Sequence, residues 1–507
     1  MLVVKGDVVE SEAVEALLLA AGHEKVADEK SAELVIVNSC NSMELGWVDE
    51  YGVDAVLLAP AAGAKGFEAV GKILSGTVNP SGRTADTFVY DLLDTPSIRN
   101  IGLNVYNNLA DLEKKILKED ATYQGAVSFV DYAEGIYIGY KYYETAADDG
   151  VIDYAQHVQY PFGYGLSYTT FEKKIDSMTD NGDTLALTVS VTNTGSVAGR
   201  DVIELYYTPP YTNGGIEKAS VNLIDFAKTS VIQPGASELI YFSLDKRDMV
   251  SYDYSGVKVA GGGYILEAGE YAVSVRSDSH TVCDARTFTV ALDIRYDEEA
   301  VNRFDSARGT HTVLSRADGF ANYAEACAAP DESAYAMDDA TRNAVAANTV
   351  SGYSSKAFEI DGDTAPTTDA QNGLTLADMT GLEYDDPQWD IFMDQLTYEQ
   401  MAKLCANGLR MTINIDEIGK PLTVDHNGPS GVTQKYSVGE NGYAVQNNDP
   451  QKDIKGTCYP CNGIIAATFN DELIREVGEL IGEDAMWAGY AGLYGTGLNI
   501  HRSPYAG

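Results

Sequence analysis

The order of apolar and polar residues predicts alternating helices and strands in the first part of the chain. Short apolar runs at residues 33–38 and Ala55–Ala59 predict strands. The apolar-periodic stretch from Glu10 to Ala21 predicts a helix, and the segments NSMELGWVDEYG and AAGAKGFEAVGKILSG predict two more. Helices that alternate with apolar strands are typical of a parallel, doubly wound α/β sheet. Because Met1 leads almost directly into a predicted helix, we expect the first strands of this sheet to be missing.

After Phe162 the pattern changes to strict alternation of apolar and polar residues. It is clearest in the segments LALTVSVTNTG, DVIELYYTPP, ELIYFSLD and GEYAVSVRSD, which are separated by turn residues. This period of two predicts an antiparallel β-sandwich over residues 172–292. Residues 293–395 are rich in Ala, Asp and Thr, and they are interpreted as a partly ordered connector.

Helical periodicity returns near the C-terminus. The segment LTYEQMAKLCANG, residues 396–408, predicts an amphipathic helix that opens a new domain, and residues 471–489 predict a second helix. The last apolar segment, LYGTGLNIH, ends shortly before Gly507. We therefore expect this last domain to be cut off in its middle.

Charge and composition exclude several classes of function. The 507 residues include 76 Asp and Glu against 35 Lys and Arg, a formal net charge of −41, which would repel nucleic acid and anionic membranes. No apolar run approaches the roughly 20 residues of a membrane helix, and the N-terminal sequence has neither the basic region nor the cleavage site of a signal peptide. Six cysteines are too few for a disulfide scaffold. The prediction is a cytoplasmic protein that binds neither nucleic acid nor membrane.

The sequence indicates no metal site and no organic cofactor. The six histidines form no pattern with metal-ligand spacing, and neither a glycine-rich nucleotide fingerprint nor a P-loop is present. Cys458 and Cys461 form a Cys-x-x-Cys pair, which could belong to a redox or zinc site. Without partner cysteines or nearby histidines, the pair is interpreted as structural.

Three peptides carry a more specific signal. They are VNPSGRTADTF (78–88), EGIYIGYKYYE (134–144) and VQYPFGYGLSYTTF (158–171). Together with their surroundings they resemble the C-terminal α/β domain of glycoside hydrolase family 3, which would occupy residues 1–171 without its N-terminal part. Individually, Asn79, Pro80 and Gly82 are interpreted as turn and packing residues.

The rest of the chain resembles other domains of the same family. The predicted sandwich, with VTNTGSVAGRDVIELYYTPP, resembles the family's fibronectin-III-like domain. The segments VDHNGPSGV (424–432) and GLNIHRSP (497–504), with LTYEQMAKL and TCYPCNGIIAATFNDELIREVGELIGEDA, resemble the start of its catalytic (β/α)8 barrel. The barrel would begin at residue 396 and stop incomplete at residue 507. This order, with the barrel last, resembles a permuted minority of the family.

The resemblance implies a retaining β-glycosidase that uses two carboxylates and no cofactor. The family's nucleophilic Asp belongs to a Ser-Asp-Trp-like strand that does not occur here, and its Glu acid/base precedes the strand matching ELVIVN. Neither Glu10, Glu12 nor Glu15 is a convincing match, and Glu134, although part of a family motif, is not favoured. Both catalytic carboxylates are therefore expected outside these residues.

Two residues match the family's sugar-binding positions. Asp425 corresponds to the Asp of its Asp-Gly-Pro loop and Arg502 to the Arg of its Arg-x-Pro strand end, both of which bind the non-reducing sugar. His426 and Asn427 separate Asp425 from Gly428, and Ser503 replaces the usual Asp, so the match is not complete. The alternatives are a turn-capping aspartate at 425 and a structural ion pair at 502.

The resemblance thus predicts a β-glucosidase-like hydrolase of terminal β-linked sugars, present as a fragment. The substrate would be an oligosaccharide or β-glycoside, whose sugar the sequence does not identify, and the oligomeric state cannot be read. The alternative is a catalytically inactive protein of the same origin that binds glycans or packs against a partner chain.

Overall fold

We analysed a computed structural model of the chain. It describes residues 2–6, 34–38, 44–51, 53–59, 63, 65–102, 104–109, 128–296, 312–347, 362, 367–406, 411–428, 430–432, 436–438, 444–446, 456–495 and 501–502. The helix predicted over Glu10–Ala21 lies outside these residues.

A parallel three-stranded sheet opens the chain. Its strands Leu2–Gly6, Leu34–Asn38 and Ala55–Leu58 pair in chain order, all parallel. Helices Trp47–Tyr51 and Gly66–Leu74 fall within the two predicted helical segments. The predicted parallel α/β arrangement is therefore confirmed for these elements.

The N-terminal expectation is wrong in one respect. Met1 leads into the strand Leu2–Gly6 and not into a helix, so this strand of the sheet is present. The sequence LVVKG has two β-branched valines and is long enough to pair with one neighbouring strand.

The β-sandwich consists of two antiparallel sheets. One has the strand order Asn222–Lys228, Val202–Thr208, Gly269–Arg276 and Val282–Val290; the other has Ser237–Asp245, Thr184–Asn193 and Phe171–Asp180. In Thr184–Asn193 every second residue is buried, including Leu185, Leu187, Val189 and Val191. Successive side chains of a strand point to opposite faces, so this alternation places one face of each sheet in the shared core. The predicted sandwich is confirmed.

The remaining elements are short. Further strands are Phe88–Val89 paired with Val158–Tyr160, Asn104–Val105 paired with Ser128–Phe129, and a small sheet of Ser251–Tyr252, Tyr264–Leu266 and Ile294–Tyr296. Helices are Tyr140–Asp148, Tyr154–His157, Ala317–Phe320, Tyr323–Ala326, Asp339–Ala347 and Gln388–Met393. Single 3-10 turns occupy Leu92–Asp94, Ile98–Asn100, Lys246–Met249, Leu376–Met379 and Asp416–Ile418.

Part of the predicted connector belongs to a core. Leu314, Phe320 and Ala326 are buried against Tyr137 and Tyr142, and the Phe320 ring meets the Tyr137 ring edge to face at 4.9 Å. Residues 312–347 therefore pack on the segment that follows the parallel sheet. Their apolar residues are too widely spaced to produce a periodic signal in the sequence.

The C-terminal segment contains one β–α–β unit. Strand Thr423–Asn427 pairs in parallel with strand Gly492–Tyr494, and helix Asp471–Ala488 lies between them in the chain. The Asn470 side chain caps this helix at its N-terminus and Gly489 ends it at a φ of +81°. Helices Tyr398–Ala406 and Asn462–Ala466, the hairpin Tyr436–Val438 with Ala444–Gln446 and the strand Met411–Thr412 complete the segment. Residues 456–461 have no regular secondary structure.

A buried charge network joins the turn at residues 79–83 to the sandwich. Arg83 Nη2 donates to Asp201 Oδ1 at 2.5 Å, and Lys173 Nζ lies 3.2 Å from Asp201 Oδ2. All three side chains are almost completely buried. The Asp201 carboxylate is therefore paired with two cations that water does not reach.

A second buried carboxyl, Glu204, lies beside this network and has fewer hydrogen-bond partners than Asp201 has charged ones. Its side chain is fully buried, Tyr206 donates a hydrogen bond of 2.6 Å to its Oε2, and its Oε1 has no hydrogen-bond partner. Gly163 lies against this carboxyl at a φ of +83°, where any larger residue would overlap it. Burial raises the pKa of Glu204 to about 7, despite the hydrogen bond from Tyr206 and the nearby charge of Lys173.

No described helix is both long and apolar enough to cross a lipid bilayer.

Replacing Asp201 with Asn should lower the free energy of unfolding by about 3–5 kcal/mol, because Arg83 and Lys173 would remain buried without a counter-charge. Urea denaturation measures this change. The control is Asp180→Asn, since Asp180 pairs with Lys246 at the surface of the same sandwich and should contribute less than about 1 kcal/mol. Equal losses in both variants would contradict the structural role of the buried network.

Glu204 should make the protein less stable as pH rises. In the folded protein the Glu204 carboxyl keeps its proton up to about pH 7, because its pKa is raised to about 7 from the ordinary pKa of 4.5. Its contribution is complete below about pH 4.5 and is lost as pH rises to about 7, a change of up to about 3 kcal/mol. Glu204→Gln should remove this part of the pH dependence in urea titrations at pH 5 and pH 8. The exposed Glu172→Gln should retain it, and an unchanged pH profile in Glu204→Gln would contradict the prediction.

Candidate functional site

The candidate site is built where residues 501–502 meet the segments around residues 97–100 and 131–134. Ser97 Oγ donates to the carbonyl oxygen of Arg502 at 2.6 Å, which fixes the backbone there. His501 Nε2 lies 2.6 Å from Asp86 Oδ1, in the loop that follows the segment 79–83. The neighbouring residues His501 and Arg502 are thus attached to two different segments.

The Arg502 guanidinium is held on several sides. Its Nε and Nη2 donate to the two carboxylate oxygens of Glu134, the second at 2.8 Å. Nη2 also donates to the Asp131 carbonyl at 2.5 Å, and Nη1 donates to the Asn100 carbonyl at 3.1 Å. A guanidinium has five N–H groups, so these four hydrogen bonds leave one N–H, on Nη1.

Arg502 was predicted either to bind the sugar or to form a structural ion pair, and its contacts concern both interpretations. The bidentate pair with Glu134 is the structural ion pair of the alternative interpretation, and the side chain is only 7% exposed. The fifth N–H has no hydrogen-bond partner among the described residues. The sugar-binding role of Arg502 stays a prediction.

Glu134 is engaged in the same pair. Its side chain is fully buried and both of its oxygens accept from Arg502. A general acid must reach the leaving-group oxygen and carry a proton. This geometry gives Glu134 an orienting function toward Arg502, in keeping with the interpretation that it is not the acid/base.

Asp425 lies in the middle of the strand Thr423–Asn427, directly opposite Gly492 on the parallel neighbour. The Asp425 carboxylate leans over Gly492, where any side chain would overlap it. It is half-buried and makes no hydrogen bond to the described residues. A turn-capping role is not seen there, and its sugar-binding role stays a prediction.

The structure does not join Asp425 and Arg502 directly. Within the described part of the chain no hydrogen bond or ion pair connects them, and each belongs to a different set of contacts. Next to Asp425, His426 is completely buried and its ring lies 5.0 Å from that of Tyr490.

The turn residues of the family motifs have structural contacts. Asn79 Oδ1 accepts from Ser167 Oγ at 2.9 Å and from the Tyr168 amide at 2.8 Å, and Asn79 Nδ2 donates to the Ala198 carbonyl. Gly165 packs on the Gly82 carbonyl and on Arg83, which leaves no space for a side chain. These contacts join the two motif loops to the sandwich.

Cys458 and Cys461 are free thiols, the first of them exposed. The backbone from Cys458 to Pro460 passes so close to Gly63 that a side chain there would overlap it. In the described ranges no three His, Cys, Asp or Glu side chains are grouped as metal ligands.

Sequence reasoning missed the partners of Arg502. The carbonyls of Asn100 and Asp131 carry no sequence signal, because every residue has a carbonyl group. Tyr132 lies with its ring centroid 4.2 Å from the Arg502 guanidinium carbon. No motif in the sequence pointed to this contact.

Comparison with known proteins gives matches along most of the chain. Residues 11–140 match the glycosyl hydrolase family 3 C-terminal domain, and residues 201–279 match the fibronectin type III-like domain. A β-glucosidase from Ruminococcus albus is 29% identical over 499 residues, 95% of this chain and 45% of that protein. β-Glucosidase A from Butyrivibrio fibrisolvens is 28% identical over 517 residues, 95% of this chain and 55% of that protein.

The fold has a counterpart among solved structures. A β-glucosidase from Paenibacillus barengoltzii superposes with a TM-score of 0.66 at 24% identity, over 93% of this chain and 47% of that protein. The chain spans about half the length of the curated relatives it matches.

Proposed function

Since this chain resembles the β-glucosidases of glycoside hydrolase family 3, we propose that it is part of a retaining β-glycosidase. The substrate is an oligosaccharide or β-glycoside with a terminal, non-reducing β-linked sugar. The observation that carries the proposal is the similarity to two β-glucosidases over 95% of this chain.

The proposed domains are those of the sequence analysis. An α/β domain (1–171) and a fibronectin-III-like sandwich (172–292) come first, followed by a connector (293–395) and the start of a (β/α)8 barrel (396–507). The parallel strands Thr423–Asn427 and Gly492–Tyr494, with helix Asp471–Ala488 between them, support the barrel assignment. A complete barrel needs about 250 residues, more than twice the number in this segment.

The chemistry requires a nucleophilic carboxylate and a protonated carboxyl on opposite sides of the glycosidic bond. In this proposal both lie outside the 507 residues. Glu134, the carboxylate of a family motif, is occupied by Arg502, which supports its exclusion. Asp425 and Arg502 would contribute to the sugar subsite: a carboxylate accepts from sugar hydroxyls, and the remaining Arg502 N–H donates to one.

A partner-dependent role remains a second candidate, and one surface favours it. Helix Asp471–Ala488 buries none of its residues, and its apolar side chains Leu473, Leu480 and Trp487 are exposed, Trp487 by 73%. These residues repeat at helical spacing on one face, opposite Arg475 and Glu479. Such a face is normally covered by another element.

The isolated chain should not hydrolyse 4-nitrophenyl β-D-glucopyranoside, because it lacks both catalytic carboxylates in this proposal. Release of nitrophenolate measures turnover, and a complete family 3 β-glucosidase assayed in parallel is the positive control. Saturable turnover that is retained in Glu134→Gln would show that the chain carries a catalytic pair, contrary to the proposal. Loss of such turnover in Glu134→Gln would also contradict the proposal, because the parent chain would still have shown turnover.

The isolated chain should also associate with itself, because the apolar face of helix Asp471–Ala488 is exposed. Light scattering after size exclusion should give a mass that rises with concentration. The double variant Leu480→Glu, Trp487→Glu should reduce the association, whereas Glu479→Gln on the opposite face should not. A monomer at every concentration would contradict the idea that this face requires a covering partner.

A further inference from the structure

Helix Tyr140–Asp148 is attached to the sandwich in two places. At the first, the backbone amide of Ser220 donates a hydrogen bond of 3.0 Å to Thr145 Oγ1. At the second, the Glu144 side chain contacts the turn 278–281. The first pair of residues contains no group that titrates near neutral pH, whereas the turn contains a histidine.

The second attachment is centred on the Glu144 carboxylate, whose side chain is only 3% exposed. Its Oε1 accepts hydrogen bonds from Ser279 Oγ at 2.8 Å and from the Tyr154 hydroxyl at 2.7 Å. Its Oε2 lies 2.9 Å from His280 Nδ1. Within the described part of the chain, His280 is the only cation that pairs with Glu144. When His280 loses its proton, this buried carboxylate therefore loses its counter-charge.

His280 is exposed to the solvent while it contacts this buried group. Its side chain is 46% exposed, so protons reach the ring without any opening of the structure. The groups that face it are Glu144 and Asp148 on the helix, the ring of Tyr154, and Asp278 in its own turn. The Tyr154 and His280 rings are stacked with their centroids 3.7 Å apart. A protonated imidazole therefore has three carboxylates and the negative face of an aromatic ring around it.

The surroundings of His280 favour its protonated form. The hydrogen bond to Glu144 raises the pKa of His280, and the charges of Asp278 and Asp148 also raise it, whereas partial burial acts in the opposite direction. A pKa that is higher in the folded protein than in the unfolded chain means that protonation stabilises the folded contact. This stabilisation is complete below the ordinary histidine pKa of 6.5 and is lost as the pH rises through the higher pKa of the folded protein.

We propose that Glu144 and His280 form a pH-sensitive latch between helix Tyr140–Asp148 and the sandwich, closed when His280 is protonated and weakened when it is neutral. The attachment through Ser220 is present in both states. The latch therefore changes how often the helix opens, and it leaves the fold unchanged. This inference is independent of the proposed glycosidase function.

Hydrogen exchange in the complete 507-residue chain, followed by mass spectrometry, tests the latch. The protection of the amides in helix Tyr140–Asp148 is divided by that of strand Thr184–Asn193, which removes the intrinsic pH dependence of exchange. Between about pH 6 and about pH 8.5, this relative protection should fall about two- to fivefold in the parent chain. In His280→Gln it should already be low at the lower pH and should not fall further.

Ser220→Ala is the matched control, because it removes the hydrogen bond from Ser220 Oγ to Asp148 and retains the histidine. It should lower the relative protection of the helix at both pH values and keep the fall between them. Glu204 titrates in the same pH range, but it is present in all of these chains and cannot produce a difference between them. A fall in His280→Gln equal to that in the parent chain, or no fall in the parent chain, would overturn the latch.

NMR of chains with labelled histidine observes the proton itself. The chain contains six histidines, and the signal that is missing from His280→Gln identifies His280. Its titration midpoint should lie at a higher pH in the parent chain than in Glu144→Gln, where an uncharged amide replaces the carboxylate. Equal midpoints in the two chains would overturn the proposal, because Glu144 would then not stabilise the charged imidazole.

Discussion

The structure depends on the pairing of charges that are removed from water. Arg83, Lys173 and Asp201 are buried together where the segment 79–83 meets the sandwich, and loss of Asp201 would leave two buried cations without their shared counter-charge. This network fixes the turn, and the loop that continues from it carries Asp86 to His501. The loop thereby connects the buried charges of the sandwich to the segment that carries Arg502.

Arg502 is a second buried cation that is paired with a carboxylate. Its partner Glu134 lies 368 residues away in the sequence, so the pair joins two segments that the chain separates widely. The bidentate geometry and the two carbonyl acceptors use nearly all of the donors of the guanidinium. In an enzyme that binds a sugar with the last of these donors, the same residue would hold the domains together and orient the substrate.

The sequence predicted those parts of the fold that local periodicity determines. The alternation of apolar and polar residues in Thr184–Asn193 predicted a sandwich strand, and the helical spacing of apolar residues in Asp471–Ala488 predicted an amphipathic helix. Strand Leu2–Gly6 was missed because five residues show little periodicity, and the packing of Leu314 and Phe320 because isolated apolar residues show none. At the candidate site, the family resemblance led to the predictions for Arg502 and Asp425, but the pairing of Arg502 with Glu134 depends on tertiary contacts that no local pattern encodes.

The central claim is that this chain is one part of a two-carboxylate glycosidase. Sequencing the coding DNA beyond both ends of the 507 residues tests it most directly. The account predicts that the reading frame continues downstream into the rest of a barrel with a Ser-Asp-Trp-like strand, and upstream into a loop that carries a glutamate. A start codon at Met1 and a stop codon directly after Gly507 would contradict it, because the family resemblance would then describe ancestry and not activity.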